Sequence, residues 1–590
     1  MKTNSKRLIA ILLTAWMIIA LIPIMTVSVS AALPDDKLIA KYAMDEVVNG
    51  YMLDGSGNGK HALARNINIV KDSTKSSAAK FNEDSFIMMP EWILEGCKEE
   101  VTVSVWYKYD DTNGYEWRRI WEFGTTNVSG GFWSLTPKRG DEIRLFNEYW
   151  GNDLIGNPRV THDEGSIATP EILCPYIDGK WAHLVMTVDK NQTKMYIDGK
   201  LIEAVQTALM PQDFWQTTQN YLGKSVHGTD KYFEGLMSDV CIYSVSLSEA
   251  QVGELNKAAK FVTPDSVKAS APAAAIKAAA ASGQAVDNIV ARYSLSEIVP
   301  GPSGWALVKD DINGNDGVLI GSKNTKFGGN KIVKDATRGN VLRLDGDTGF
   351  VQLPDDLLRA YDAVTVTCWY YFDTAGDAKF PDNNRGWARL FDFGNFNNIS
   401  YMNFVPRRGD NQCAGSEFKC NDGGQHWLDV GDCYENKWVH IAVTFKAGQN
   451  QLYIDGKLID DNAPEYGPKD FGHTWQNYIG KSQWSDAFFI GYASELIIYN
   501  KILSADEIKA NMGKDFSYLT PVATVSAPVD VPVAPAETPA EVVSTPAAAP
   551  APAPVTSNSP RTGDASIMIF ALILTASLVS GGIVLKKKQK

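Results

Sequence analysis

Cysteine is scarce in this chain, seven in 590 residues and an odd number. Cys97, Cys174, Cys241 and Cys368 stand far apart, which excludes a small disulfide-stapled scaffold. Cys413, Cys420 and Cys433 stand closer, and with His426 they give the spacing C-x6-C-x5-H-x6-C. Zinc modules chelate through short C-x2-C or H-x3-H pairs, which are missing here, so the readings left are a loop disulfide or free thiols. Basic charge is short as well: 56 Lys and Arg against 69 Asp and Glu leave a net charge of −13. No nucleic-acid partner is expected, since displacing counterions from a polyanion takes a basic patch. Long apolar runs are confined to the two ends, and neither a G-x-S-x-G elbow nor an H-E-x-x-H helix occurs.

What the chain does have is a repeat. Trp181-Ala-His-Leu-Val-Met-Thr-Val188 followed by Met195-Tyr-Ile-Asp-Gly-Lys-Leu-Ile202 returns as Trp438-Val-His-Ile-Ala-Val-Thr-Phe445 and Leu452-Tyr-Ile-Asp-Gly-Lys-Leu-Ile459. Alternate apolar positions predict a strand with one face in a core, and Asp198-Gly199 or Asp455-Gly456 predicts a tight hairpin after it. Other matches keep the same order: Val101–Tyr107 with Val364–Tyr370, Arg119–Gly124 with Arg389–Gly394, and Gln219–Ser225 with Gln476–Ser482. Each copy closes on a short helix signal after Ser248 or Ser504, where the serine caps the first turn. Two copies of one all-β domain follow, each a sandwich of two sheets.

The ends read as addresses. Residues 1–32 carry Lys2, Lys6 and Arg7 before an apolar core and a run of small residues, the pattern of a secretory signal peptide. The domains are placed at 33–256 and 288–515, joined by an Ala-rich linker at 257–287 that is expected to be flexible or to form a short helix from Pro272 to Ala281. Residues 516–558, rich in Pro and Ala, cannot bury a core and are expected to form an extended stalk. Residues 559–590 hold Ser559-Pro560-Arg561-Thr562-Gly563, an apolar stretch long enough to span a bilayer, and terminal lysines that would face the cytoplasm. This arrangement resembles the sortase sorting signal of Gram-positive surface proteins, with Ser559 where leucine is commonest. The resemblance implies cleavage after Thr562 and its joining to the cell-wall peptide, with sortase and wall as partners and only a transient stay in the membrane.

The W-x-H strand, the Tyr-Ile-Asp-Gly-Lys hairpin and the Tyr-Leu/Ile-Gly-Lys-Ser strand resemble the LamG-like jelly roll of the concanavalin A-like lectin/glucanase superfamily. That resemblance implies two tandem jelly-roll sandwiches, with ligands on a concave sheet face or on its rim. Glucanases of that superfamily present Glu-x-Asp-x-x-Glu on one strand, which is absent here. Glu122 and Asp392 stand alone in matching strands, so no enzyme is expected.

Adhesion through a glycan or glycoprotein ligand is the expected function, with binding of host or neighbouring-cell proteins and glycan hydrolysis as the alternatives. Tryptophans shared by both copies, Trp106 with Trp369, Trp117 with Trp387 and Trp181 with Trp438, read as scaffold. Those found in one copy read either as loop packing or as sugar platforms, since a flat indole covers the apolar face of a pyranose while nearby polar groups bond its hydroxyls. The candidates are Trp133, Tyr149, Trp150, Asp153 and Trp215 in the first copy, and Trp427, Trp475, Trp484 and Asp486 in the second. The oxygen-rich loops at Asp54 and Asn58, and at Asp311, Asn313 and Asn315, read as polar turns or as calcium loops, although neither is an EF-hand; the LamG-like resemblance implies structural calcium there, with Asp239 or Glu495 as distant partners. Arg139-Gly-Asp141 and Arg408-Gly-Asp410 match the integrin tripeptide and read as ordinary turns.

Overall fold

The structure is a computed structural model that describes residues 31–110, 117–125, 132–138, 146–150, 167–168, 179–206, 210–213, 216–272, 288–323, 328–374, 385–395, 399–421 and 424–514. Residues 1–30 of the segment read as signal peptide, and the whole of the stalk and sorting signal, lie outside them. No helix among the described residues is long and apolar enough to cross a membrane.

Each repeat is a sandwich of a back sheet and a front sheet. The back sheet of repeat 1 is built around Gly235–Tyr243, Val101–Tyr109, Trp181–Val188 and Gln192–Ile197, and that of repeat 2 around Ile490–Tyr499, Ala363–Phe372, Trp438–Lys446 and Gln449–Ile454, all antiparallel. The front sheet of repeat 2 orders Ala306–Val308, Gly317–Ile320, Phe350–Gln352, Gln476–Ile479, Phe391–Gly394, Tyr401–Val405, Gly415–Lys419 and His426–Asp429 side by side. In repeat 1 strand Leu38–Val48 pairs with both sheets, joining them edge to edge.

The expected alternation holds: Ala182, Leu184, Met186 and Val188 all enter the core of repeat 1, and Val439, Ile441, Val443 and Phe445 that of repeat 2. Asp198 and Gly199 have φ of 49° and 76°, and Asp455 and Gly456 48° and 74°, the left-handed pair that closes a two-residue hairpin. Each aspartate also accepts the N–H of the W-x-H histidine at 2.9 Å, which ties the turn to the strand before it. The opposite face of the strand is buried too, contrary to the one-sided reading. Helix Glu249–Lys257 lays Val252 and Leu255 over Val185 and Tyr196, and helix Ala505–Met512 lays Ile508 over Ala442 and Tyr453. Ser248 and Ser504 form full capping boxes with Gln251 and Glu507.

The linker is not a loose tether where it is described. Phe261 N–H and Lys260 Nζ both bond Asp239, at 2.9 and 3.0 Å, and Thr263 bonds Asp45 through its N–H and its hydroxyl. A short helix, Asp265–Ala269, follows on this strap, while the helix expected from Pro272 to Ala281 falls, past Pro272, outside the described residues. Residues 273–287 lie outside the description.

The two repeats share a core. Tyr51, Leu63, Phe86, Met88, Tyr221 and Tyr232 of repeat 1 form one buried cluster with Trp305, Leu307, Val318, Phe350, Tyr478 and Phe488 of repeat 2. Two matching lysines lie inside it: Lys224 Nζ is 3.4 Å from the Tyr478 hydroxyl, and Lys481 Nζ donates to Gln219 Oε1 at 3.0 Å. Charged pairs rim the cluster. Arg65 binds Asp355, the Glu91 carboxylate accepts the N–H groups of Ser322 and Lys323 at 3.2 and 3.1 Å, and His473 bridges Asp84 and Asp356. Independent domains on a flexible connector are therefore replaced by one packed tandem.

Burial pushes Lys481 down to about 7, and burial followed by the Lys481 charge pushes Lys224 well below the lysine range. In the unfolded chain these amines keep their ordinary value of 10.5 and hold their protons over that interval. The folded state thus gains stability as pH rises from about 7 toward 10.5 and lacks that gain below 7. Lys481→Met is expected to raise the melting temperature at pH 7 and to flatten its rise between pH 7 and 9, read by calorimetry on the tandem. An unchanged slope would show that Lys481 is charged in the fold.

Candidate functional site

Residues directly opposite in paired strands point to the same face of a sheet. In repeat 2 the register lines up Val318, Gln352, Tyr478, Asp392, Asn403, Glu417 and Trp427 in one row on the outer face of the front sheet. The matching row of repeat 1 is Tyr51, Leu63, Met88, Tyr221, Glu122 and Ser134. One half of each row faces the other repeat. The second half, from Asp392 to Trp427, carries the candidate site.

That half is framed by three half-buried indoles, Trp387, Trp427 and Trp484. Trp387 and Trp427 have ring centroids 5.9 Å apart, and the Arg408 guanidinium lies 3.9 Å above Trp427. Arg408 is held from beneath by Asp410, at 2.6 Å, and by Asp429. Across the cleft Arg389 lies 5.0 Å from the Trp484 ring and binds Asp486 at 2.8 Å, while Tyr401 meets Trp484 edge-on at 4.9 Å and donates its hydroxyl to Glu417 at 2.7 Å. Trp387 itself has φ of 70°, a conformation bulky residues rarely adopt. Its N–H bonds the Arg407 carbonyl at 3.0 Å and its own carbonyl accepts from Arg389, which hold it there. Trp117 repeats this in repeat 1, with φ of 61° and bonds to Lys138 and Arg119.

A buried acid positions the Trp484 loop. Asp392, 0% exposed, accepts the Gln483 N–H at 3.1 Å and its side-chain amide at 2.9 Å, and burial pushes its carboxyl up to about 7 despite Arg389. Glu122 does the same in repeat 1, taking Arg119 at 2.8 Å, Val226 N–H at 3.0 Å and Ser225 Oγ at 3.2 Å. Both acids are thus scaffold pairs. The loop is also braced from the other repeat: a Cβ on Gly228 would stand 2.7 Å from the Trp484 carbonyl carbon and oxygen.

The other candidates fall elsewhere. Trp133 is 0% exposed and packs on Phe123 and Trp121, so it is core rather than a sugar platform: its strand is covered on that face by the opposing sheet. Trp475 stacks on His473 at 5.2 Å at the contact between repeats. Tyr149 and Trp150 stand opposite Trp133 and Phe132 in their strands, whereas Asp153 and Trp215 lie outside the described residues. Among the candidates whose side chains are described, Trp427, Trp484 and Asp486 are brought together. Trp387, Arg389, Tyr401, Arg408 and Glu417 join them, and the shared Trp387 had read as scaffold because it recurs.

The calcium loops do not fit the ion. Asp54 accepts from the N–H of Lys41, Ser56 and Lys60 and the hydroxyl of Ser56, all at 2.8–3.0 Å, leaving no carboxylate oxygen free. Its counterpart is Asp310 rather than Asp311, and it accepts four N–H groups. Asn58 and Asn313 turn their amide donors to backbone carbonyls, and Tyr293 takes the Asn315 carbonyl. Asp239 is neutralised by Lys260 and Lys75, and Asp311 and Glu495 by Arg292. Among the described residues no three acidic, His or Cys side chains gather as a metal site. Arg408 of the second Arg-Gly-Asp is bound by its own Asp410, and the first copy lies outside the described residues.

Two jelly-roll sandwiches that keep an outer sheet face lined with aromatic and polar groups define a lectin-like architecture. The model of the concanavalin A-like lectin/glucanases superfamily matches residues 81–253 and 345–509, more than half of the chain, and the chain belongs to that superfamily. No curated protein matches it. Among solved structures it is similar to domain 4 of AbnA, a GH43 extracellular arabinanase from Geobacillus stearothermophilus, at 22% identity over 37% of this chain and 98% of that one, with a TM-score of 0.30. It is also similar to the CBM40 of Ruminococcus gnavus IT-sialidase, at 18% identity over 26% and 85% with a TM-score of 0.23. Domains LG4-5 of the mouse laminin alpha1 chain align at 12% identity over 71% and 88%, with a TM-score of 0.21.

Because Gly228 abuts the Trp484 backbone, Gly228→Val is expected to displace the Trp484 loop while leaving the front sheet of repeat 2 folded. Tryptophan fluorescence of the tandem should then shift with little change in far-ultraviolet circular dichroism.

Proposed function

We propose that the tandem binds carbohydrate at the outer front face of repeat 2 and displays it outside the cell. The observation that carries this reading is the trio of half-exposed indoles, Trp387, Trp427 and Trp484, set among Arg408, Asp410, Asp429 and Asp486. Indole faces take the apolar side of a pyranose, and the charged groups take its hydroxyls. Membership of a superfamily named for lectins and glucanases supports the same class of ligand. Covering ~100 Å² of indole contributes at most about 2.5 kcal/mol before immobilisation costs, so one site is expected to be weak. Since the repeats are packed together, avidity would come from many copies on one surface rather than from a swinging pair.

Hydrolysis is the second reading, favoured by Asp392 and Glu417, two buried acids in one row whose carboxyls are both raised. Against it, Asp392 is 0% exposed and committed to Gln483. Display follows from the terminal segments: export through residues 1–32 and wall attachment through Thr562, with residues 516–558 as spacer.

The test is a glycan array with the tandem, wild type beside Trp427→Ala and Trp387→Gly. Glycine accepts the left-handed φ of Trp387, so that variant should fold as well as wild type. Saturable binding that falls about tenfold or more in both variants is expected; binding to no glycan by folded protein would move the reading to a protein ligand. Polysaccharide breakdown abolished in Glu417→Gln would favour the hydrolase. In the producing bacterium Thr562→Ala should shift the protein from the wall fraction to membrane and medium, and retention in the wall would refute the anchoring step.

A further inference from the structure

Among the described cysteines, Cys97, Cys241 and Cys368 are buried in separate layers and Cys420 donates to the Asp470 carbonyl at 3.1 Å. Cys413 and Cys433 differ, since both are free and half-exposed and stand at the ends of two paired chains. Strand Gly415–Lys419 pairs with His426–Asp429, Gly415 opposite Asp429. The pairing runs one step further: Val430 N–H bonds the Ala414 carbonyl at 3.0 Å, and Ala414 N–H bonds the Asp432 carbonyl at 2.8 Å. Gly431, at φ of 72°, and Asp432 are the two extra residues of this bulge. The next residues outward on the two chains are Cys413 and Cys433. Opposed residues of antiparallel chains have Cα atoms about 4.5–5.5 Å apart. A disulfide spans about 4.4–6.8 Å between Cα atoms. Both sulfurs face the loop that carries Arg408, Cys413 toward the Asn411 carbonyl at 3.4 Å and Cys433 toward the Pro406 carbonyl at 3.3 Å.

We propose that Cys413 and Cys433 form a disulfide that fixes the Arg408 loop beside Trp387 and Trp427. The oxidant is the disulfide of an extracytoplasmic thiol–disulfide oxidoreductase or of glutathione. The Cys413 thiolate displaces one of its sulfurs as a thiolate, giving a mixed disulfide. Cys433 then passes its proton to water through the Glu435 carboxylate, 3.1 Å away, and displaces the second sulfur. Two protein thiols are oxidised, the oxidant's disulfide is reduced to two thiols, and the Cys413–Cys433 bond remains. The bridge ties the end of the Arg408–Cys413 turn, whose Arg408 N–H already bonds the Cys413 carbonyl at 2.9 Å, to the end of the strand that carries Trp427.

The experiment uses the full chain, refolded in a glutathione redox buffer, blocked with N-ethylmaleimide in denaturant and digested with trypsin without reduction. Peptide 409–419 is expected linked to peptide 420–437, two hydrogen masses lighter than the pair with one maleimide on Cys420, fragmentation placing the bond at Cys413 and Cys433, and with Cys97, Cys241 and Cys368 labelled. Reduction is expected to lower the melting temperature by about 2–4 °C. Each of Cys413→Ser and Cys433→Ser should leave the other thiol open to labelling and remove the effect of reductant. Labelling of both Cys413 and Cys433 in the oxidised protein, or linkage of either to another cysteine, would overturn the proposal, whether or not a glycan binds.

Discussion

The burial of one half of each front sheet against the other is the constraint on which the remaining structure depends. A lone sandwich would leave Tyr221, Phe86 and Tyr232, or Tyr478, Phe350 and Phe488, on its surface, a larger apolar patch than a soluble domain normally carries. Packing the two patches together removes them from water and forces two lysines to give up solvation. The aromatic rings around those amines, 4.5 Å from Lys224 to Phe86 and 4.6 Å from Lys481 to Phe350, offset part of that cost.

The candidate site inherits its order from that contact. Asp392 holds the Gln483–Trp484 loop from within repeat 2, while Gly228 presses on the same loop from repeat 1. On the other wall the left-handed Trp387 is kept in place by Arg389 and by the neighbouring turn, where a Cβ on Gly409 would meet its indole nitrogen at 2.4 Å. The indoles are therefore fixed by groups that need never touch a ligand.

The architecture was legible because strand alternation and Asp-Gly hairpins are local signals, each spelled out twice. The site was only partly legible. Comparing the copies pointed to Trp427, Trp484 and Asp486 but misplaced Trp133 and Trp475, since a unique tryptophan can equally fill a core or an interface. It also passed over Trp387 and Glu417: the first recurs like a scaffold residue, and the second is recognisable only from the row Asp392, Asn403, Glu417, Trp427, which no single strand contains. The calcium reading is ambiguous in sequence for a related reason. An oxygen-rich loop and a loop closed on its own N–H groups look alike in sequence, and only the donors around Asp54 and Asp310 separate them. The contact between repeats had no sequence signal beyond the repeated Tyr-x-Gly-Lys, which reads as one more strand.

That contact is made by the same surface on both sides. Lys224 reaches Tyr478 while Lys481 reaches Gln219, and Glu91 reaches the loop after Ile320 while its counterpart Asp355 reaches Arg65. An interface of this self-complementary kind closes at two, so a third repeat appended to the chain would find no face left to occupy. A single-repeat ancestor with the same strands would have been a symmetric homodimer whose assembly depended on its concentration. Joining the two copies in one polypeptide makes that assembly independent of dilution, and it frees each half to diverge, which is how one face can keep its indoles while the other changes.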